Sequence, residues 1–149
     1  TPHPIHGVIN RTHDPDRSDY LFRISLKAVI INDDRQILIV REHGHEWWDL
    51  PGGGIDHGET VREALTRELR EEISYDGNFT YETLLAEDPR HSVEHRVYQM
   101  RIAFLVKPEH FNFKAGDDCD EIKFVDPLQF EHSDVVAERK IFEYYQLAK

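Results

Sequence analysis

The chain has 149 residues, enough for one domain, and 39% of them are hydrophobic, which supports a real core and excludes wholesale disorder. Against 29 Asp and Glu stand only 18 Lys and Arg, a net charge of −11, so the basic footprint of a protein that grips polymeric nucleic acid or an anionic membrane is missing. The single cysteine, Cys119, excludes an internal disulfide framework and a Cys-rich zinc module, and no apolar run approaches the ~20 residues of a membrane helix. With no signal pattern in the polar amino-terminal stretch, a cytoplasmic protein is the expectation.

Residues 1 to about 20 read as an irregular arm, with at most one short strand near Ile5 to Ile9. Leu21 to Ile31 is apolar and β-branched enough for a strand, Asn32-Asp33-Asp34 supplies turn chemistry, and Gln36 to Arg41 returns as a second strand. The pair reads as a hairpin. Trp47 to Leu50 is a short extended run that ends at Pro51 and three glycines. Thr60 to Ile73 is the best helix in the chain: Thr60-Val61-Arg62-Glu63 fits the capping box, and Val61, Leu65, Leu69 and Ile73 recur every four residues. Asp76-Gly77-Asn78 supplies turn residues beyond it. Phe79 to Leu85 and Val93 to Val106 read as strands, His110 to Asp120 as a polar loop, and Glu121 to Val125 as a last strand. Asp134 to Leu147 is the closing helix, with Val135, Ile141, Phe142 and Tyr145 near one face. Strands on both sides of a central helix, with another helix at the end, predict a single mixed α/β domain over residues 1–149.

The chemistry concentrates between Trp47 and Asp76. At about 100° per residue, Glu72 falls inside the apolar arc of the central helix and Glu68 on its shoulder. A carboxylate on a core-facing stripe is costly unless a cation or several donors compensate it. Glu68 and Glu72 lie one turn apart, so both can reach one ion, and carboxylate oxygens suit a hard cation such as Mg²⁺ or Mn²⁺. The competing reading is a solvated acidic face laced with Arg67 and Arg70. The loop Pro51-Gly52-Gly53-Gly54 tips the balance, because it runs directly into this helix and lets backbone approach a ligand closely.

Gly53, Glu59, Arg67, Glu68, Leu69, Glu71 and Glu72 fall in the spacing G-x5-E-x7-R-E-U-x-E-E-x-G-U, where U is bulky and apolar. This segment resembles the Nudix box. Tyr75 is a loose match to the last position, and Ser74 departs from the usual Gly, which bears on how the helix ends. The resemblance covers this stretch, with Trp48-Asp49-Leu50-Pro51-Gly52-Gly53 as a familiar lead-in. It implies an αβα sandwich with a mixed sheet and the box as loop-helix-loop. It also implies Mg²⁺-dependent hydrolysis of a nucleoside diphosphate linked to another group X.

Carried over residue by residue, the resemblance makes Glu68 and Glu72 metal ligands and Glu71 a third ligand or a base acting through water. Gly53 or its neighbour Gly52 adds a backbone carbonyl. Arg67 and Glu59 pair to orient loop and helix. The general base stays open between Glu68, Glu71 and Glu121. Arg23 and Arg41 are candidate phosphate clamps with strand-edge charge as the alternative, Trp48 is a candidate base-stacking residue with core packing as the alternative, and His57 sits in the loop nearest the phosphates. His43, His45, His91 and His95 match no zinc motif and read as solvated. Cys119 has no catalytic partner. The implied partner is a small nucleotide-type molecule, the chain a monomer or homodimer. A nucleotide-sensing or scaffold domain without turnover is the competing function, and intact Glu68, Glu71 and Glu72 speak against it.

Overall fold

The structure, a computed structural model, describes residues 8–11 and 14–148. Strands β1 (Val8–Arg11) and β2 (Asp14–Tyr20) pair antiparallel with each other. The amino-terminal region is therefore a hairpin over its described part, where an irregular arm is expected; Ile5 to Gly7 lie outside the described residues. The main sheet takes β3 (Arg23–Val29), β5 (Gly52–Gly54), β6 (Phe79–Ala86) and β8 (Val97–Pro108) in the order β5-β3-β8-β6, with β7 (Arg90–Ser92) also on β8. Among the described strands only β3 and β8 run parallel. A separate pair joins β4 (Ile37–Glu42) to β9 (Cys119–Val125) antiparallel. Helix α1 spans Val61–Ile73 and α2 spans Val136–Ala148, preceded by a 3₁₀ turn at Pro127–Phe130.

Two cores lie back to back. Leu26, Ala28, Leu38, Val40, Phe104 and Val106 pack with Leu65, Leu69 and Ile73 of α1. Their strand neighbours Val29, Ile37, Ile39 and Ala103 pack with Ile141 and Tyr144 of α2. Strands buried on both faces need unbroken apolar runs, which is why Ala28 to Ile31 and Ile37 to Val40 do not alternate. The result is a mixed sheet system between helices, as expected.

Four local expectations change. The turn at Asn32 forms, with Asn32 N–H donating to Gln36 O over 3.0 Å and Leu38 N–H to Ile30 O over 2.9 Å, but the hairpin then splits. β3 has β5 on one edge and β8 on the other, so beyond the Ile31–Ile37 bridge β4 has no free edge of β3 to pair with and joins β9. The Val93 to Val106 strand is interrupted: Arg96 takes a positive φ of 56° and a turn separates β7 from β8. The glycine run is itself the edge strand β5, paired with β3. In α2 it is Tyr144 that is deeply buried, whereas Val135 precedes the helix and is 38% exposed.

Helix α1 starts as its capping box predicts, with Glu63 N–H donating to the Thr60 hydroxyl over 3.1 Å and Thr60 N–H to Glu63 Oε1 over 3.2 Å. It ends at Ser74, which takes the left-handed conformation itself (φ 55°, ψ 37°) where the expected turn was Asp76-Gly77. The last carbonyls are then met by a loop that folds back: Gly116 N–H donates to Glu72 O over 2.9 Å and Lys114 N–H to Ile73 O over 3.3 Å. This return brings residues 114–118 beside the helix end.

Candidate active site

The site grows from the junction of β5 and α1. Gly52 has φ 149°, and its N–H donates to Glu72 Oε2 over 2.6 Å. A β-carbon here would stand 1.9 Å from the Leu26 carbonyl oxygen, so only glycine lets β5 lie this close to β3. Gly53 packs flush on the next carboxylate: a β-carbon at that position would lie 2.5 Å from Glu68 Oε1. At Gly54 it would lie 2.7 Å from the Arg23 guanidinium. Three consecutive glycines thus let the backbone press against the Leu26 carbonyl, Glu68 and Arg23 in turn.

Glu72 is 3% exposed and Glu68 is 8% exposed, both on the buried side of α1 as the helical arc predicts. Burial pushes the Glu72 carboxyl well above the usual carboxylate range, against the opposing pull of the Lys27 ammonium and the Gly52 N–H. Burial raises Glu68 as well, partly offset by Arg67. Lys27 is 6% exposed, and its ammonium donates to Asp49 Oδ2 over 3.1 Å and to the Leu50 carbonyl over 3.4 Å. It is the buried positive charge beneath the carboxylates.

Behind them Arg67 ties helix to loop. Its Nε and Nη2 grip Glu59 at 2.8 and 2.9 Å, Nη2 also reaches Gly54 O at 2.9 Å, and Nη1 donates to Glu68 Oε1 at 2.8 Å. Glu59 Oε1 accepts a further bond from Asp56 N–H over 2.8 Å. The Arg67 hydrogen bonds first, then the Asp56 N–H, hold the Glu59 carboxyl down at about 2. The same pairing raises Arg67 above its ordinary value.

These groups face a cleft of about 420 Å³. Arg23, Gly53, Glu68, Glu71 and Glu72 line it, so the structure gathers these five sequence candidates, with Glu59 and Arg67 behind. Glu71 presents a side chain that is 44% exposed, with Arg67 Nη1 at 3.6 Å. Glu42, His43, Asp117 and Asp118 line it too; Glu42, Asp117 and Asp118 are not singled out by the sequence, which reads His43 only as solvated. His43 N–H donates to Asp118 O over 2.8 Å and the His43 ring meets Asp120 Oδ1 at 2.7 Å, but the side chain is 81% exposed, a solvated histidine at the rim as expected. A larger depression of about 590 Å³ continues past Glu71, Asp117 and Asp118 to Arg70, Ser74 and Lys114.

Four candidates lie elsewhere. Strand alternation sends Val40 and Glu42 toward α1 and Arg41 toward α2, so Arg41 leaves the cleft. There its guanidinium lies 5.5 Å from the Trp48 ring centre and 3.8 Å from Glu121, while Lys123 stands 4.6 Å over the same ring. Arg41, Trp48 and Glu121 therefore form one cluster on the other face of β4 and β9. His57 is exposed on the loop before α1 and does not line the cleft. Trp47 stacks on His45 at 4.2 Å and is 38% exposed. Burial, then Glu72 and Glu42, push the Cys119 thiol up to about 12, which fits an inert cysteine.

The donor set around the cleft, carboxylates with glycine carbonyls beside them, is all oxygen and fits a hard divalent cation. Among the described residues no three His, Cys, Asp or Glu side chains are already drawn together as a metal cage.

Sandwich, glycine strand and acidic helix together define a class. The family model of the NUDIX domain matches residues 21–145, and the chain belongs to the Nudix hydrolase family. The chain is similar to an RNA pyrophosphohydrolase of Ruthia magnifica subsp. Calyptogena magnifica, 41% identical over 69 residues, which are 46% of this chain and 37% of that protein. Across that protein and other curated relatives, the matches span between 31% and 48% of the relative's length. Among solved structures, a MutT protein from Methanosarcina mazei Go1 superposes with a TM-score of 0.68 at 20% identity, covering 84% of this chain and 93% of that one. The NUDIX domain of Shewanella oneidensis NrtR, complexed with ADP ribose, gives a TM-score of 0.66 at 17% identity over 85% and 87% of the two chains. At these identities the structures show the fold. Among the described residues no helix is long and apolar enough to cross a membrane.

Proposed function

We propose that this chain hydrolyses a phosphoric anhydride in a nucleoside diphosphate linked to a second group X. One observation carries the reading: Glu68 and Glu72 are sunk in the wall of one cleft, facing three glycines and Arg23. Desolvating two carboxylates at one spot is costly unless a cation compensates them. Glu68, Glu72 and Glu71, with the Gly53 carbonyl, would hold Mg²⁺ or Mn²⁺. Such a cation, when bound, neutralises phosphate oxygens and acidifies water.

The chain's own residues divide the remaining work. Arg23 presents a guanidinium fork to phosphate oxygens at the rim. Glu71, the exposed carboxylate of the three, takes the proton from the attacking water. Arg67 and Glu59 fix the loop against the helix, so Glu68 cannot swing away. Lys27 supplies a buried positive charge that favours ionised Glu72.

The charge of −11 disfavours a grip on a long phosphate backbone, so small nucleotides are the proposed substrates. The relative named RNA pyrophosphohydrolase makes a 5′-phosphorylated RNA end a substrate to include. The test is a panel of nucleoside triphosphates, nucleotide sugars, ADP-ribose, dinucleoside polyphosphates and 5′-triphosphorylated oligoribonucleotides, with Mg²⁺ or Mn²⁺. Release of a nucleoside monophosphate or of pyrophosphate is expected from at least one of them. Tight nucleotide binding without turnover of any member would replace hydrolysis with sensing.

A further inference from the structure

Among the described residues four polar side chains are buried: Ser25, Lys27, Glu68 and Glu72. All four adjoin the glycine strand. In the β3–β5 ladder Ser25 lies opposite Gly54 and Lys27 opposite Gly52. Glu68 packs on Gly53, and Glu72 accepts from the Gly52 N–H. Lys27 is the one cation of the four, and its partner in the ladder is the residue whose amide holds the most deeply buried anion.

Burying an ammonium is costly, and an ion pair in a protein interior is often no more stabilising than apolar side chains of similar volume. The 3.1 Å contact with Asp49 therefore accounts for how Lys27 is tolerated and not for why a cation stands inside an apolar strand. Asp49 is itself partly exposed and accepts from the Leu50 N–H over 2.7 Å. The field of Lys27 reaches both carboxylates and favours their ionised forms. Arg67 compensates Glu68 directly through its 2.8 Å contact; for Glu72 the fixed positive charge is Lys27. Such a charge also repels any cation placed at the carboxylates, twice as strongly for a divalent ion as for a proton at the same point.

We propose that Lys27 sets how tightly the site of Glu68 and Glu72 holds its divalent cation. The ammonium supplies part of the compensation that the ion would otherwise supply. The protein therefore folds without the ion and binds it more weakly than two buried carboxylates alone would. Lys27 acts through the carboxylates, as a positioning residue and not as a ligand. This role rests on the proposal above that Glu68 and Glu72 hold the ion.

Mn²⁺ binding to the full chain, followed at fixed pH by electron paramagnetic resonance of the free ion, reads this affinity without turnover. Lys27→Met should bind Mn²⁺ about tenfold more tightly than the wild type. Damage to the fold would weaken binding, so the sign separates an effect of charge from one of structure. Lys27→Arg keeps the charge and should stay within about twofold of the wild type. Lys107→Met removes a cation from an exposed position on β8 and should also stay within about twofold. Glu72→Gln, in the wild type and in Lys27→Met, should abolish the tight site, which distinguishes it from ions scattered over an acidic surface.

Lys27→Met leaves Asp49 without its cation. The double variant Lys27→Met, Asp49→Asn removes both charges and keeps a carbonyl oxygen for the Leu50 N–H, so it keeps the test readable should the single change disturb the fold. About threefold tighter binding is expected of it. The rise in Tm on adding saturating Mn²⁺ should also be larger in Lys27→Met than in the wild type. Equal or weaker Mn²⁺ binding in both the single and the double variant overturns the role of Lys27. If none of these proteins has an Mn²⁺ site that Glu72→Gln removes, the carboxylates hold no ion, and the ion-holding proposal fails together with this one.

Discussion

The Gly52 N–H and the Glu72 carboxylate meet at 2.6 Å, and this contact locks the glycine strand onto the acidic helix. It also explains how a carboxylate that is 3% exposed survives in a folded core: one oxygen has an amide donor and the Lys27 charge lies nearby. Glu72→Gln keeps an oxygen able to accept from Gly52 but removes the negative charge. Folding, measured by circular dichroism and thermal unfolding, should be retained or improved, because a buried charge has gone. Turnover with Mg²⁺ should fall by about a hundredfold or more. Unchanged turnover would remove Glu72 from the ligand set.

Gly52→Ala attacks the same contact from the other side. The new methyl would collide with the Leu26 carbonyl at 1.9 Å, and φ 149° is a conformation that side chains rarely adopt. Strand β5 must then leave β3, taking the Glu72 donor with it. A loss of about 2–4 kcal/mol in denaturant unfolding is expected, with activity lost in parallel. A fully stable, active Gly52→Ala would show that β5 need not lie against β3.

Much of this site is legible in the sequence because one helix carries it. Glu68 and Glu72 were placed by the arc of Val61, Leu65, Leu69 and Ile73, and the capping box fixed where that arc starts. What the sequence hides is long-range. Glu42 enters the cleft because β4 pairs with β9 rather than continuing a hairpin with β3, whose two edges are taken by β5 and the distant β8, and no local turn announces that. The same pairing turns Arg41, Trp48 and Glu121 to the far face. Asp117 and Asp118 arrive because Gly116 packs flush on the end of α1, where a β-carbon would touch Glu71 O at 1.9 Å. A Gly-Asp-Asp run in a polar loop was the available signal. Lys27 had a subtler one, a lone cation inside an apolar strand.

Ser74 stands where the box pattern has glycine and takes the left-handed conformation, φ 55°, that glycine adopts at little cost. A residue with a β-carbon loses roughly 1 kcal/mol there. Ser74→Gly should therefore stabilise the protein by about 1 kcal/mol, raising Tm by about 3 °C, with kcat essentially unchanged. Differential scanning calorimetry decides it. A drop in Tm would mean that the serine side chain makes a stabilising contact that outweighs the backbone strain.

The pairing of Glu59 with Arg67 makes a prediction about acid. The Glu59 carboxyl is held down at about 2, so the folded state binds its proton less readily than the unfolded chain, where a carboxyl titrates in the ordinary range near 4.5. A depressed folded value means that this contribution to stability is present above that ordinary range and is lost as pH falls toward 2. Glu59→Gln lacks the contribution at every pH. The difference in unfolding free energy between wild type and Glu59→Gln should thus be constant at neutral pH and shrink steadily from about pH 4.5 downward. Because Arg67 also holds Glu68 and the Gly54 carbonyl, the variant should lose activity by about 10–100-fold at neutral pH while remaining folded. Guanidinium unfolding followed across pH 2.5–7, with Mg²⁺-dependent turnover at pH 7, measures both; a pH-independent difference would show that Glu59 acts through packing and not through its charge.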